Sequence, residues 1–413
     1  MPKRVVISGL GCVCPVGNDV ETTWENILAG KPGGRKITHF DASDYKCQIA
    51  AEVKGFDAVD LFGRKEARRM DRYTQLALAS AQQALEDSKL EIIDGNRDRI
   101  GAVIGSGIGG LGTLESQLQV LSEKGPSRIS PFLVPMMLAD SAGGKIAIHF
   151  GFRGPNIAVV SACATGTNAI GEAAEIIRRG QADAMLAGGA DASIVPIAIA
   201  GIASMTALST RNHEPEKASR PFDLDRDGFL MGEGAAVMVL ESLEHAQGRG
   251  ANIIGEIVGY GSTNDAYHIT APADEGAGSA RCMQMALDSS GLSIDKIDYI
   301  NAHGTSTPLN DKNETAAIKT VFGERAYNIP VSSTKSMTGH LLGASGALEA
   351  LLCVKALEKN ILPPTINYET PDPECDLDYV PNKPREKELT HVMSNSFGFG
   401  GHNATIIISK FPV

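Results

Sequence analysis

Three stretches from the first part of the chain recur, in the same order, in its second part. Ile100-Gly-Ala-Val-Ile-Gly-Ser-Gly107 is echoed by Ile297-Asp-Tyr-Ile-Asn-Ala-His-Gly304. Ile157-Ala-Val-Val-Ser-Ala-Cys163, running into a helical segment over 164–179, is echoed by Ile329-Pro-Val-Ser-Ser-Thr-Lys335 and a helical segment ending near Leu357. Gly232-Glu-Gly-Ala-Ala-Val-Met-Val-Leu240 is echoed by Gly400-Gly-His-Asn-Ala-Thr-Ile-Ile-Ile408. Self-similarity of this kind restricts the fold to two related units that bury surface against each other. The loop residues Gln247-Gly-Arg-Gly-Ala251 mark where they meet. The expected organisation is a half over 1–250 and a half over 251–413, with an active site between them.

Each unit reads as α/β. Short Val/Ile/Ala-rich runs such as Arg99–Ile104 and Ala184–Gly189 have the unbroken apolar character of strands covered on both faces. Segments 65–87, 167–179, 277–290 and 345–358 repeat small and apolar residues every three or four positions, as covering helices do.

Composition narrows the function. A net charge of −11 argues against general nucleic-acid binding. No apolar run reaches the ~18–20 residues that span a bilayer, and Met1-Pro-Lys-Arg4 leads into Val5 without a signal-peptide core. Seven cysteines without framework spacing predict reduced thiols and a cytoplasmic setting.

Among those cysteines Cys163 stands apart, because it falls between small residues where a strand gives way to a helix. An inert buried hydrophobe is what most free cysteines are. A helix start, however, offers unpaired N–H groups and a positive dipole end, which favour the thiolate. Ala162, Ala164 and Gly166 leave room for a substrate. Two histidines in small-residue contexts are candidate partners: His303 in Asn301-Ala-His-Gly-Thr-Ser-Thr-Pro308, and His340 in Lys335-Ser-Met-Thr-Gly-His-Leu-Leu-Gly-Ala-Ser-Gly346. Lys335 supplies a cation close in sequence to His340. Cys12-Val-Cys14 lacks the second pair that a zinc site needs and reads as strand-end packing. Gly105-Ser-Gly-Ile-Gly-Gly110 does not have dinucleotide spacing and reads as a pocket wall carrying Ile108.

These blocks, with Pro221-Phe-Asp-Leu-Asp-Arg-Asp-Gly-Phe-Leu-Met-Gly-Glu-Gly234 and Asn395-Ser-Phe-Gly-Phe-Gly-Gly401, resemble those of the β-ketoacyl-acyl carrier protein synthases across nearly the whole chain. Cys163-Ala-Thr-Gly-Thr-Asn168 is similar to the synthase II branch of dissociated fatty-acid synthesis. The resemblance implies the thiolase fold, a duplicated five-layer αβαβα core, as a homodimer without an organic or redox cofactor. It implies that Cys163 carries the acyl chain, that the N–H groups of Cys163 and Phe399 hold the oxyanion, and that His303 and His340 stabilise the enolate left when malonyl carrier protein loses carbon dioxide. Lys335 would tune the histidines and Glu349 would organise the loops around them. Thr305 and Thr307 would bind the phosphopantetheine arm, Ile108 and Phe397 would line the substrate site, and the Phe399 ring would gate it. Some relatives hold a monovalent cation near the histidine loops, to which Asn301, Glu349 and Ser394 would correspond. Lys65, Arg68, Arg69 and Arg72, at helical spacing on an acidic molecule, would dock acyl carrier protein, helped by Arg128 and Arg211. The alternatives are a polyketide ketosynthase, which shares the chemistry, and a coenzyme A thiolase, whose second cysteine is missing from Phe397-Gly-Phe-Gly-Gly401. A non-catalytic chain-length partner would lack Cys163.

Overall fold

The computed structural model describes residues 2–412. Ten strands make one mixed sheet: β1 (Val5–Val13), β2 (Ile100–Gly105), β3 (Asn156–Ile157), β4 (Ala184–Asp191), β5 (Gly234–Ser242), β6 (Gly255–Asn264), β7 (Tyr299–Asn301), β8 (Val331–Ser332), β9 (His391–Gly398) and β10 (His402–Ser409). Their spatial order is β3-β2-β4-β5-β1-β6-β10-β9-β7-β8. The order reads the same from either edge once β1 to β5 are matched to β6 to β10. The pairing also matches: β4/β5 and β9/β10 are antiparallel, whereas β2/β4 and β7/β9 are parallel. Only Val6↔Glu256 and Ile7↔Gly255 join the two five-stranded blocks.

Six helices complete the layers: α1 (Arg72–Ser88), α2 (Ser141–Phe150), α3 (Thr165–Arg178), α4 (Ala277–Ser290), α5 (Pro308–Phe322) and α6 (Ser345–Lys359). α3 and α6 pack on each other between the two blocks, α1 and α2 cover the outer face of the first, and α4 and α5 that of the second. This is the five-layer αβαβα arrangement. Strand alternation builds it. Ala236, Met238 and Leu240 of β5 join the central core while Val237 and Val239 join the outer one; Ile406 and Ile408 of β10 face the centre and Ile407 the outside. Among the described residues no helix is long and apolar enough to cross a membrane.

Two sequence expectations need correction. The 65–87 helix is broken: Arg64–Ala67 is a separate turn, and α1 begins at Arg72 because the Asp71 carboxylate accepts from Tyr73 N and caps it. The repeats also drift in register. Gly234 and His402 are equivalent, as the sequence aligns them, since they pair with Asp191 and Gly398 at matching strand ends. But Ala102 corresponds to Ile300, one residue from the alignment by sequence. The counterpart of Cys163 is Gly343 rather than Lys335, because the second half inserts the turn Lys335–Thr338 and His340 before its helix.

Candidate active site

A 3-10 turn, Ala162–Ala164, leads into α3, and the same turn at Leu342–Ala344 leads into α6. Ala162 has φ +49° and Leu342 φ +50°, in the left-handed region that non-glycine residues enter at a cost of about 1–3 kcal/mol. The packing of α3 against α6 holds both. At the first turn the backbone N–H groups of Phe399 and of Cys163 itself favour the ionised form of the Cys163 thiol. Gly398 makes the close approach of the two segments possible, since a Cβ there would lie 2.9 Å from Cys163 N and 3.0 Å from Ser161 O.

Cys163, His303 and His340 are all buried, and one sulfur or ring-nitrogen atom from each lies within 4.8 Å of the others. The imidazole rings stand 5.4 Å apart at 84°. The tautomer of His340 follows from its neighbours. Leu342 N donates to Nδ1 at 3.2 Å, and Ser345 Oγ, which accepts from Leu341 N, lies 2.9 Å from the same nitrogen. Nδ1 is therefore an acceptor and the proton sits on Nε2. The His303 backbone is fixed by Glu314, which accepts from His303 N at 2.9 Å and Gly304 N at 2.8 Å. Burial, then the charge of Lys335, hold both imidazoles well below their usual range, so both are neutral at pH 7.

The thiol departs from expectation. Burial pushes Cys163 up to about 11, and this exceeds the lowering by Lys335 and the two backbone donors. A helix start alone therefore does not make the resting group a thiolate. Nor does the Cys-His-His cluster suit a metal, because the Lys335 cation acts on all three residues.

Lys335 lies behind the site, buried and paired with Glu349. Burial outweighs this attraction and pushes Glu349 up to about 7. Glu349 Oε2, Asn301 Oδ1 and Ser394 Oγ are buried without a protein hydrogen-bond partner, and Asn301 and Ser394 are paired across β7 and β9. Buried polar atoms are rarely left so. Three orphaned oxygen acceptors or hydroxyls in one region fit a small cation.

The cluster opens into a cleft of about 590 Å³. Ile108, Thr305, Thr307, Phe397 and Phe399 line it with the cysteine and both histidines. Thr305 Oγ1 and Thr307 Oγ1 are 2.9 Å apart. Phe399 is 36% exposed and Ile108 40%, so both rims are accessible. Cys12 and Cys14 are buried, each 3.5 Å from Thr23 Oγ1.

The basic strip is divided. Lys65 and Arg68 are exposed, with no ion pair among the described residues. Arg69 is 3.8 Å from Glu66 and lies over the Phe132 ring. Arg72 turns inward to hold buried Glu233 through two 2.7 Å bonds, which corrects its assignment to the docking face. Arg128 is exposed, whereas Arg211 donates to Asp225 O and sits 3.8 Å from Glu214. Sequence reasoning missed Glu314 and Asp191, which carry no local motif; Ser345 lay within the Gly339–Gly346 block, without a role.

Comparison with known proteins agrees with this geometry. Residues 2–246 match the β-ketoacyl synthase N-terminal domain and residues 254–369 its C-terminal domain. A 3-oxoacyl-[acyl-carrier-protein] synthase 2 of Staphylococcus aureus is 56% identical over 409 residues, covering 99% of both chains. A protein of the same name from Synechocystis is 55% identical, covering 99% of this chain and 98% of its own. A β-ketoacyl synthase structure from Burkholderia phymatum superposes with TM-score 0.92 at 37% identity over 99% of each chain. A type II polyketide ketosynthase in complex with its acyl-carrier protein gives the same TM-score and identity over 99% and 100%. With a buried cysteine and two neutral histidines at one cleft, and both family domains matched in order, the chain belongs to the β-ketoacyl synthase family.

Proposed function

We propose that the protein catalyses the decarboxylative condensation of malonyl-acyl carrier protein with an acyl group held on Cys163, lengthening a fatty-acyl chain by two carbons. The observation that carries this is the pair of neutral histidines beside the cysteine, one with its Nε2–H free of other partners in its assigned tautomer.

In the first half-reaction the Cys163 sulfur attacks the acyl-carrier thioester, the carrier sulfur leaves, and the cysteine proton ends on the carrier thiol. The N–H groups of Cys163 and Phe399 stabilise the tetrahedral oxyanion. In the second, the malonyl carboxylate leaves as carbon dioxide and its bonding electrons form an enolate. His303 and His340 donate to the enolate oxygen, which neutral imidazoles do without first losing a charge. The carbanion carbon attacks the acyl-Cys163 carbonyl, the C–S bond breaks, and the sulfur leaves as a thiolate that takes a proton from solvent. Thr305 and Thr307 bind the phosphopantetheine arm, and Ile108 and Phe397 bound the acyl chain. Asn301, Glu349 and Ser394 would hold a monovalent cation, whose charge would favour the ionised form of Glu349. The halves 1–250 and 251–413 act as one unit in a cytoplasmic homodimer.

Purified protein given acyl carriers of graded length and malonyl carrier should release one carbon dioxide per β-ketoacyl product two carbons longer. Condensation of two acyl-coenzyme A molecules without decarboxylation would overturn this in favour of a thiolase. The second reading, a polyketide ketosynthase, draws on the likeness to the polyketide complex; it predicts repeated extension of unreduced β-keto chains, whereas the relatives at 55–56% identity are named 3-oxoacyl-[acyl-carrier-protein] synthase 2.

For carrier docking we retain Lys65, Arg68 and Arg69, with Arg128 as an aid. Reversing the charge of Lys65 and Arg68 together should lower kcat/KM for acyl carrier by on the order of tenfold, with little change for a short pantetheine thioester. An equal effect on both substrates would remove the docking assignment.

A further inference from the structure

The catalytic turn has a twin. Where Ala162–Ala164 of the first half meets the end of β9, Leu342–Ala344 of the second meets the end of β4. Gly343 stands in the place of Cys163 and Asp191 in the place of Gly398. At the first crossing the backbone N–H groups of Phe399 and Cys163 act on the sulfur. At the second the chain supplies its own anion. The fully buried Asp191 carboxylate accepts from Gly343 N at 2.7 Å and Gly107 N at 2.9 Å on Oδ2, and from Ser106 Oγ at 2.8 Å and Ile108 N at 3.3 Å on Oδ1. A Cβ at position 343 would lie 2.6 Å from Asp191 Oδ2 and 2.4 Å from Gly107 N, so glycine is needed for this crossing to close. Burial pushes the carboxyl up to about 6 against the opposing effect of these donors.

The donors come from two working parts of the cleft. Gly107 and Ile108 form its wall. Gly343 follows Leu342, whose N–H sets the His340 tautomer. We propose that Asp191 is a positioning residue that fixes the acyl-pocket wall and the His340 turn to one another, so that a single buried carboxylate sets both chain-length selection and the geometry of decarboxylation. This rests on the condensing activity proposed above.

Asparagine is the informative replacement. Three of the four groups facing Asp191 are backbone donors, so an amide NH2 confronts Gly343 N and Gly107 N at the Oδ2 position, or Ile108 N at the Oδ1 position, where the Ser106 hydroxyl can turn to accept; either orientation leaves a backbone N–H unpaired. Ser106→Ala is milder, removing one bond on the wall side and the acceptor for Gly109 N. The full-length protein is assayed for labelling of Cys163 by long and short acyl carriers, and, in a Cys163→Ala background, for carbon dioxide release from malonyl carrier. Asp191→Asn should shift the long-to-short kcat/KM ratio severalfold and lower decarboxylation by on the order of tenfold. Ser106→Ala should move the ratio and lower decarboxylation far less. A folded Asp191→Asn protein with the wild-type ratio and wild-type decarboxylation would overturn the inference, as would lowered thermal stability with both readouts unmoved. If Asp191→Asn does not fold, an unchanged ratio in Ser106→Ala decides against it. Wild-type protein that fails to condense overturns the proposed activity instead.

Discussion

Cys163→Ala should retain no acyl label and make no β-ketoacyl product, a fall of order 10⁴–10⁶ by analogy with deletion of a covalent nucleophile, yet it should still release carbon dioxide from malonyl carrier. The two losses separate because the histidines do not depend on the sulfur for their placement. His340 is held by Leu342 N and Ser345 Oγ, and the His303 backbone by Glu314. Removing the sulfur leaves those contacts intact, and the enolate oxygen still finds its donors. Radiolabelled acyl carrier measures the first loss, and carbon dioxide release measures the second. Acyl label persisting on the variant, or decarboxylation vanishing from a folded variant, would contradict the assignment.

His340→Ala should do the reverse. Deleting the Nε2–H donor removes one of two hydrogen bonds to the enolate oxygen. Loss of an oxyanion donor elsewhere lowers rate by about 10²–10³, or ~2.7–4 kcal/mol, and decarboxylation should fall by that order. Acylation should survive, because the oxyanion of that step is assigned to the N–H groups of Cys163 and Phe399 and not to His340. The rival is serious because the thiol, pushed up to about 11, holds its proton at pH 7. If His340 were the obligatory base that removes it, His340→Ala would stop acylation as completely as Cys163→Ala. Equal loss of acyl label in the two variants, both folded, would recast the pair as a base-assisted nucleophile.

Much of this was readable from residue order. The β5 and β10 repeats align in register by sequence as largely apolar runs that are buried on both faces and start opposite the ends of their partner strands. Cys163 and the two histidines were recognisable from their small neighbours. The repeat around Cys163 aligns by sequence with the wrong residue, Lys335 instead of Gly343, because Lys335–Thr338 and His340 are inserted without disturbing the helix that follows. The thiol's protonation depends on burial by residues far along the chain, which local sequence does not report. Arg72 has the spacing of a surface charge, and only the position of Glu233 beside it reveals the inward turn. Asp191 ends an apolar strand and acquires meaning only when Gly343 is brought against it.

The strand order has a consequence for how the molecule comes into being. β10 follows every other strand along the chain yet lies between β6 and β9, and Phe399 opens the turn Phe399–Gly401 that leads into it. During N-to-C synthesis the first block can close while β6 and β9 still lack the strand that separates them. The β6–β10 pairing, which joins Glu256–Asn264 to His402–Ser409, then waits on closure of a loop of more than a hundred residues, which slows completion of the second block. Cys163 is made early and lacks the Phe399 N–H until almost the last element arrives. An emerging chain therefore carries its nucleophile without the groups that make it selective, and competence to react appears with completion of the fold.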